Sequence, residues 1–284
     1  MPRAAAFVRL LRPENDALMG LIVIVGAMVG GGGRLPPLRE AIVGFIVGFA
    51  LSASAMVLND IADLEIDRVN EPARPLPSGE VGLREAWLAF AALSVIGLAL
   101  SALQGAPEAL VAALSYVVAV TYDLKGKRYG LPGNAMVAFT GVSPILYGAV
   151  MVDGLGAVVW LEAAMIFLAM MGREVMKGVA DVEGDMAHGV RTLAVTLGRR
   201  AAAAVSTGFF AAAVSLSPLP PLLGFVSPLA YSVPVAAADV AFLAASAAAL
   251  RSPSREVALR AKEVELAGYA VALIGFALGS LLRA

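Results

Sequence analysis

The sequence predicts an all-α fold: a polytopic membrane protein with about nine transmembrane helices in one bundle. Three observations carry that expectation. Of the 284 residues, 60% are hydrophobic and 15% charged, against about 25% charged in a soluble domain. Mean hydropathy is +0.83. The apolar residues come in runs of about 20, the length a helix needs to cross roughly 30 Å of hydrocarbon.

Each span is bounded by breakers or charge. The first, 16–33, ends in Gly31-Gly32-Gly33-Arg34. The second, 40–58, follows Pro36-Pro37 and runs into the acidic stretch that starts at Asn59. The third, 86–104, follows a loop stiffened by Pro72, Pro75 and Pro77 and stops at Gly105. The fourth, 108–122, ends just before Lys125, Lys127 and Arg128. The fifth, 134–152, closes at Asp153-Gly154, and the sixth, 155–176, runs towards Asp181. The last three are 201–217, 229–250 and 264–282, and the Pro/Gly-rich link Ser217–Pro228 is a candidate re-entrant dip. The whole is read as one domain, with similar four-helix halves at 16–122 and 134–250 and a ninth helix after them.

Charge placement orients the chain. With the N-terminus inside, only Arg34, Arg39 and Arg283 of the 21 lysines and arginines fall in outer segments. Such a bias puts the N-terminus in the cytoplasm. Met1 to Asn15 lacks the apolar core and cleavage site of a signal peptide, so it is expected to be retained. There is no cysteine and His188 is the only histidine, which excludes disulfides, thiolate metal sites and paired histidine ligands. A net charge of −1 gives no reason to expect a nucleic-acid partner.

Chemistry is concentrated where the second and sixth spans end. If the second helix continues past Leu58, Asn59, Asp63 and Asp67 share one face at i, i+4 and i+8, with Asp60 beside them. Asp181 and Asp185 repeat the i, i+4 spacing after the sixth span. Two carboxylates about 5 Å apart at an effective dielectric of about 20 repel by roughly 3 kcal/mol. A cation relieves that, and all-oxygen ligands favour Mg²⁺ or Ca²⁺ over zinc or copper. Both clusters fall on the cytoplasmic side, where together they could hold two or more Mg²⁺ ions that neutralise a diphosphate. Basic partners are available in Arg12, Arg74, Lys125, Lys127 and Arg128. A site open to the bilayer suits a substrate with a diphosphate head and a long apolar tail. From an allylic carbon such a diphosphate leaves a delocalised cation, which apolar walls protect from water.

Asn59-Asp60-x-x-Asp63-x-x-x-Asp67 and Asp181-x-x-x-Asp185 resemble the paired signature motifs of the UbiA-type intramembrane prenyltransferases. The likeness runs from Arg12-Pro13-x-Asn15 to the last span. It implies Mg²⁺-dependent transfer of a prenyl group from a prenyl diphosphate within nine helices. It further implies Asp60, Asp63, Asp181, Asp185 and Lys127 as catalytic residues. Asn59 and Asp67 would join the four aspartates as metal ligands. The runs Asn70-Glu-Pro72-Ala-Arg74-Pro75, Arg173-Glu174-Val-Met-Lys177 and Asp181-Val-Glu183-Gly184-Asp185 are similar to the archaeal ether-lipid branch. Members of that branch join a geranylgeranyl group to the hydroxyl of geranylgeranylglyceryl phosphate, so a lipid-like phosphorylated acceptor is implied here, with membrane lipids around it. The family often spaces a Tyr and a Lys three residues apart after the fourth span. Here Tyr122 is followed by both Lys125 and Lys127, and Lys127-Arg128 is the preferred diphosphate pair.

Plainer readings stand beside these. Arg12 also suits an interfacial anchor, although Asn15 one turn on favours head-group binding. Arg173 and Lys177 can pair with Glu174 or contact the acceptor's phosphate. Ser143 and Tyr147, inside the fifth span, are packing residues or line the substrate site. Glu65 and Glu71 read as solvated, Glu183 as an outer neighbour of the acids, and His188 as a loop residue. Glu162 and Asp239, inside spans, have no assigned role. Three other functions compete: prenylation of an aromatic acceptor, an ion-coupled transporter, and a membrane alcohol phosphotransferase. Transporter sites lie near the midplane, whereas these acids lie at span ends. The phosphotransferase signature begins Asp-Gly, with Ala-Arg shortly after, and no such run occurs.

Overall fold

The computed structural model describes residues 3–187 and 189–283; His188 lies outside them. It is all-helical among those residues. A short α1 (Arg3–Leu11) precedes α2 (Pro13–Gly30) and α3 (Leu38–Ala62). After the short α4 (Leu64–Asn70) come α5 (Leu83–Gln104), α6 (Ala106–Leu124), α7 (Leu131–Val150) and α8 (Ala157–Ala180). Two short helices, α9 (Val182–Ala187) and α10 (Leu193–Leu197), lead to α11 (Arg199–Leu216), α12 (Leu219–Leu222), α13 (Pro228–Arg251) and α14 (Arg255–Leu281).

Among the described residues, eight helices are long and apolar enough to cross a membrane. The remaining long helix, α8, carries Glu162, Arg173, Glu174 and Lys177 and packs against α7, α11 and α14. Each of the nine expected spans thus corresponds to one long helix, and the protein is a multi-pass membrane protein. The helices overrun the apolar runs at polar ends. The clearest case is α14, which begins at Arg255 instead of near residue 264. Ser254 caps it by accepting from the Val257 N–H at 3.3 Å, and Arg260 pairs with Glu256 one turn back. Hydrophobicity marks only the lipid-length part of such a helix.

Close helix contacts use missing side chains. A Cβ on Gly148 of α7 would stand 1.9 Å from the Val23 carbonyl oxygen of α2, and one on Gly26 would stand 2.2 Å from that of Ile145. The two helices therefore meet backbone to backbone, which only glycine permits at these points. The link after α11 does not hang free. Its turn is closed by Phe225 N–H donating to the Pro220 carbonyl, and Ser227 N–H donates to Gly279 in α14. Val226 is buried in the core with Tyr231 and Phe276.

The helix runs on past Leu58, as the shared face of the acids supposes, but not unbroken to Asp67. α3 stops at Ala62, and Asp63 takes φ −95° and ψ 6° between α3 and α4. The four-residue bonding survives the break, since Asp63 N–H donates to Asn59 and Asp67 N–H donates to Asp63. Asp67, in α4, is buried.

Candidate active site at two helix ends

The ends of α3 and α8 converge. Asp63 and Asp67 from the first acidic stretch, and Asp181 and Asp185 from the second, line one cavity of about 590 Å³. Glu183 and Arg255 complete its polar wall. More than a hundred residues separate the two pairs in sequence, and packing of the long helices brings them to one place.

The first stretch meets the repulsion between its acids with cations from three other segments. Arg12 donates to Asp60 at 2.5 Å and to the Met56 sulfur at 3.3 Å. Its backbone holds φ 49° at the junction of α1 and α2, a left-handed conformation that costs a non-glycine residue free energy. α1 itself is seated by Ala6 and Leu10 against Val57, Leu76 and Val81, and so fixes the Arg12 junction beside α3. Arg74, in the proline-stiffened loop, donates to Asp67 at 2.7 Å and lies 3.7 Å from Asp60. Lys127 donates to Asp63 at 2.5 Å. Lys127 sits in the single turn Gly126–Arg128 that follows α6, whereas Lys125 and Arg128 are exposed. Among the described residues, Lys127 is the one of the three cations expected after α6 that bonds to these acids.

On the second stretch, Arg199 donates to Glu183 at 2.6 Å and 2.7 Å. That bonding holds the Glu183 carboxyl below the ordinary glutamate range. Lys177 donates to Glu174 at 2.8 Å, and Arg173 lies 3.6 Å from the same carboxylate. Their structural pairing is therefore present, and it leaves Arg173 facing a second space.

That second space is an apolar chamber, also of about 590 Å³, walled by α2, α3, α6, α7, α8 and α14. Asn15, Asn59, Tyr122, Asp123 and Arg173 stand at its polar end, and Ser143 and Tyr147 line it deeper. Asn59 is turned to this chamber, where its amide donates to Asp123 at 3.2 Å. Ser143 donates back to the Phe139 carbonyl one turn before it, and the Tyr147 hydroxyl donates to Gln104.

Among the described residues, no three acids or histidines are gathered closely enough to form a ready metal shell. Asn59 bonds to Asp123 and Asp60 to Arg12, and Arg74 lies between Asp60 and the cavity-lining Asp67. Asp63, Asp67, Asp181 and Asp185 around one space are still an oxygen-only set, which fits a hard divalent ion. Two residues with a place here escaped sequence reading. Asp123 had a local signal, a lone acid at the end of an apolar run. Arg255 had none, since it meets the acids only through the packing of α14. Glu65 and Glu71 are exposed as expected. Glu162 is fully buried without a hydrogen-bond partner among the described residues, and Asp239 accepts from Ser217.

Fold and site define a class: a helical membrane protein with a charged head-group cavity beside a chamber for an apolar tail. The UbiA prenyltransferase family model matches residues 20–281. The chain belongs to that family and is a prenyltransferase. It is 39% identical over 216 residues to the digeranylgeranylglyceryl phosphate synthase of Thermococcus kodakarensis, covering 76% of this chain and 77% of that one. A solved structure described as giving insights into the biosynthesis of digeranylgeranylglyceryl phosphate synthase in membranes superposes with a TM-score of 0.83 at 30% identity, covering 99% of each chain. A UbiA homolog from Archaeoglobus fulgidus, bound to GPP and Mg²⁺, superposes with a TM-score of 0.68 over 94% of this chain and 99% of that one. At 19% identity, that likeness is one of fold.

Proposed function

We propose that the protein transfers a geranylgeranyl group from geranylgeranyl diphosphate to the free hydroxyl of geranylgeranylglyceryl phosphate, completing the second ether of an archaeal membrane lipid. The observation that carries this is the meeting of Asp63, Asp67, Asp181 and Asp185 around one cavity beside a lipid-sized apolar chamber. The names of the relatives support the acceptor, and the lysine and arginine distribution supports a cytoplasmic site in the cell membrane.

Asp63, Asp67, Asp181 and Asp185 would hold Mg²⁺, with Asn59 and Asp60 joining once a substrate head displaces their present partners. Bound there, Mg²⁺ supplies charge neutralisation for the departing diphosphate. Arg12, Arg74 and Lys127 pair with acids in the resting arrangement. Exchange of those pairs for diphosphate oxygens would free the carboxylates for the ions and bring positive charge to the leaving group. Arg255 approaches the same cavity from α14. The chamber takes the tail and keeps water from the allylic carbon, while Arg173 at its polar end suits the acceptor's phosphate.

The test uses purified full-length protein in vesicles with labelled geranylgeranyl diphosphate, Mg²⁺ and one acceptor at a time. Product with geranylgeranylglyceryl phosphate is expected, and chelation should stop it. Product only with hydroxybenzoate or a quinone precursor would overturn the acceptor assignment.

A further inference from the structure

The end of the chamber remote from the acids is lined by a packed cluster of side chains. Its lining runs along α3 from Asn59 to Val47 and along α6 from Asp123 to Val111. At about 1.5 Å of rise per residue, that is a depth of about 18 Å. Four helices supply the deep end: Val23 from α2, Val47 from α3, Ala112 from α6 and Tyr147 from α7. These side chains are buried and form one packed cluster. Tyr147 is the largest of them, and its hydroxyl is anchored by Gln104, the last residue of α5.

We propose that Tyr147, held by Gln104, sets the prenyl chain length at four isoprene units. The inference rests on the prenyl-transfer reading above. With C–C bonds of about 1.5 Å, an extended isoprenoid advances about 1.25 Å per bond. A geranylgeranyl main chain then reaches about 19 Å, a farnesyl chain about 14 Å and a geranylfarnesyl chain about 24 Å. With the diphosphate at the acidic end, the four-unit chain reaches the Tyr147 ring. The three-unit chain stops short and leaves apolar wall uncovered. The five-unit chain is longer than the chamber by about a whole isoprene unit, and the ring stands in its path.

The experiment compares kcat/KM for farnesyl, geranylgeranyl and geranylfarnesyl diphosphates, with Mg²⁺ and geranylgeranylglyceryl phosphate, in the full-length protein and three variants. The unmodified protein is expected to favour the four-unit over the five-unit donor by about 10-fold or more. Tyr147→Ala should raise the five-unit to four-unit ratio by about 10-fold, and Tyr147→Phe, which keeps the ring, should move it by less than about 3-fold. Gln104→Leu, which releases the ring but keeps its volume, should give an intermediate ratio and stands in if Tyr147→Ala does not fold. An unmodified protein that uses four-unit and five-unit donors equally would overturn the proposal, as would an unchanged ratio in both Tyr147→Ala and Gln104→Leu. No product from any of the three donors would instead strike down the prenyl-transfer reading, and this proposal with it.

Discussion

The acid cavity and the apolar chamber have the same volume, about 590 Å³ each, yet they are built by opposite means. The cavity forms where α3 and α8 stop, and its walls include α4 and α9, helices too short to be stable alone. The chamber lies within the spans, walled mostly by small and apolar side chains of long helices. Charge is costly at membrane depth unless paired, so the acids collect at helix ends, where arginines and lysines can meet them. The tail of a lipid substrate needs no partner beyond apolar surface, so its space can be cut into the bundle itself.

The sharpest way to break that division is to remove acids from the cavity. Asp63→Ala and Asp181→Ala should each lower prenyl transfer by about 10³-fold or more, the scale of losing a principal charge-stabilising group. Neither removes core volume, so each variant should elute as folded protein on size exclusion. Near-normal turnover in Asp63→Ala would show that the cavity does not house the chemistry. A smaller effect distinguishes the two lysines: Lys127→Ala should cost about 10²-fold in kcat/KM, and Lys125→Ala less than about 3-fold. Equal losses would mean that Lys127 has no larger part at the diphosphate than Lys125.

The chamber side should respond in stability before chemistry. Gly148→Ala forces α7 away from the Val23 carbonyl and should lower unfolding stability by about 1–3 kcal/mol, the usual cost of overpacking. Thermal unfolding in detergent reads this directly. A variant as stable as the parent would mean that the contact between α2 and α7 is looser than the 1.9 Å approach implies.

Much of this was legible beforehand because membrane burial is written locally. A run such as Ile42 to Leu58 declares a span without reference to anything else in the chain, since lipid demands both its length and its apolarity. The four-residue spacing of Asn59, Asp63 and Asp67 was legible for the same reason, although the break at Asp63 was not. Nothing local forbids a continuous helix there. Arg255 was invisible as a site residue, and Lys127 was preferred to Lys125 on resemblance alone, because their distinction depends on which way a single turn faces after α6.

By itself, the amino-acid sequence determined the number of long helices, the two acidic ends and the family. Hydrophobic length and residue type act along the chain, and both are read one segment at a time. Only tertiary structure decided that Asp63 and Asp181 share a cavity, that Asn59 turns to Asp123, and that Tyr147 lines the deep part of the chamber. Those outcomes depend on how helices pack across glycines such as Gly26 and Gly148. Packing is a relation between surfaces distant in sequence, and no single stretch encodes it.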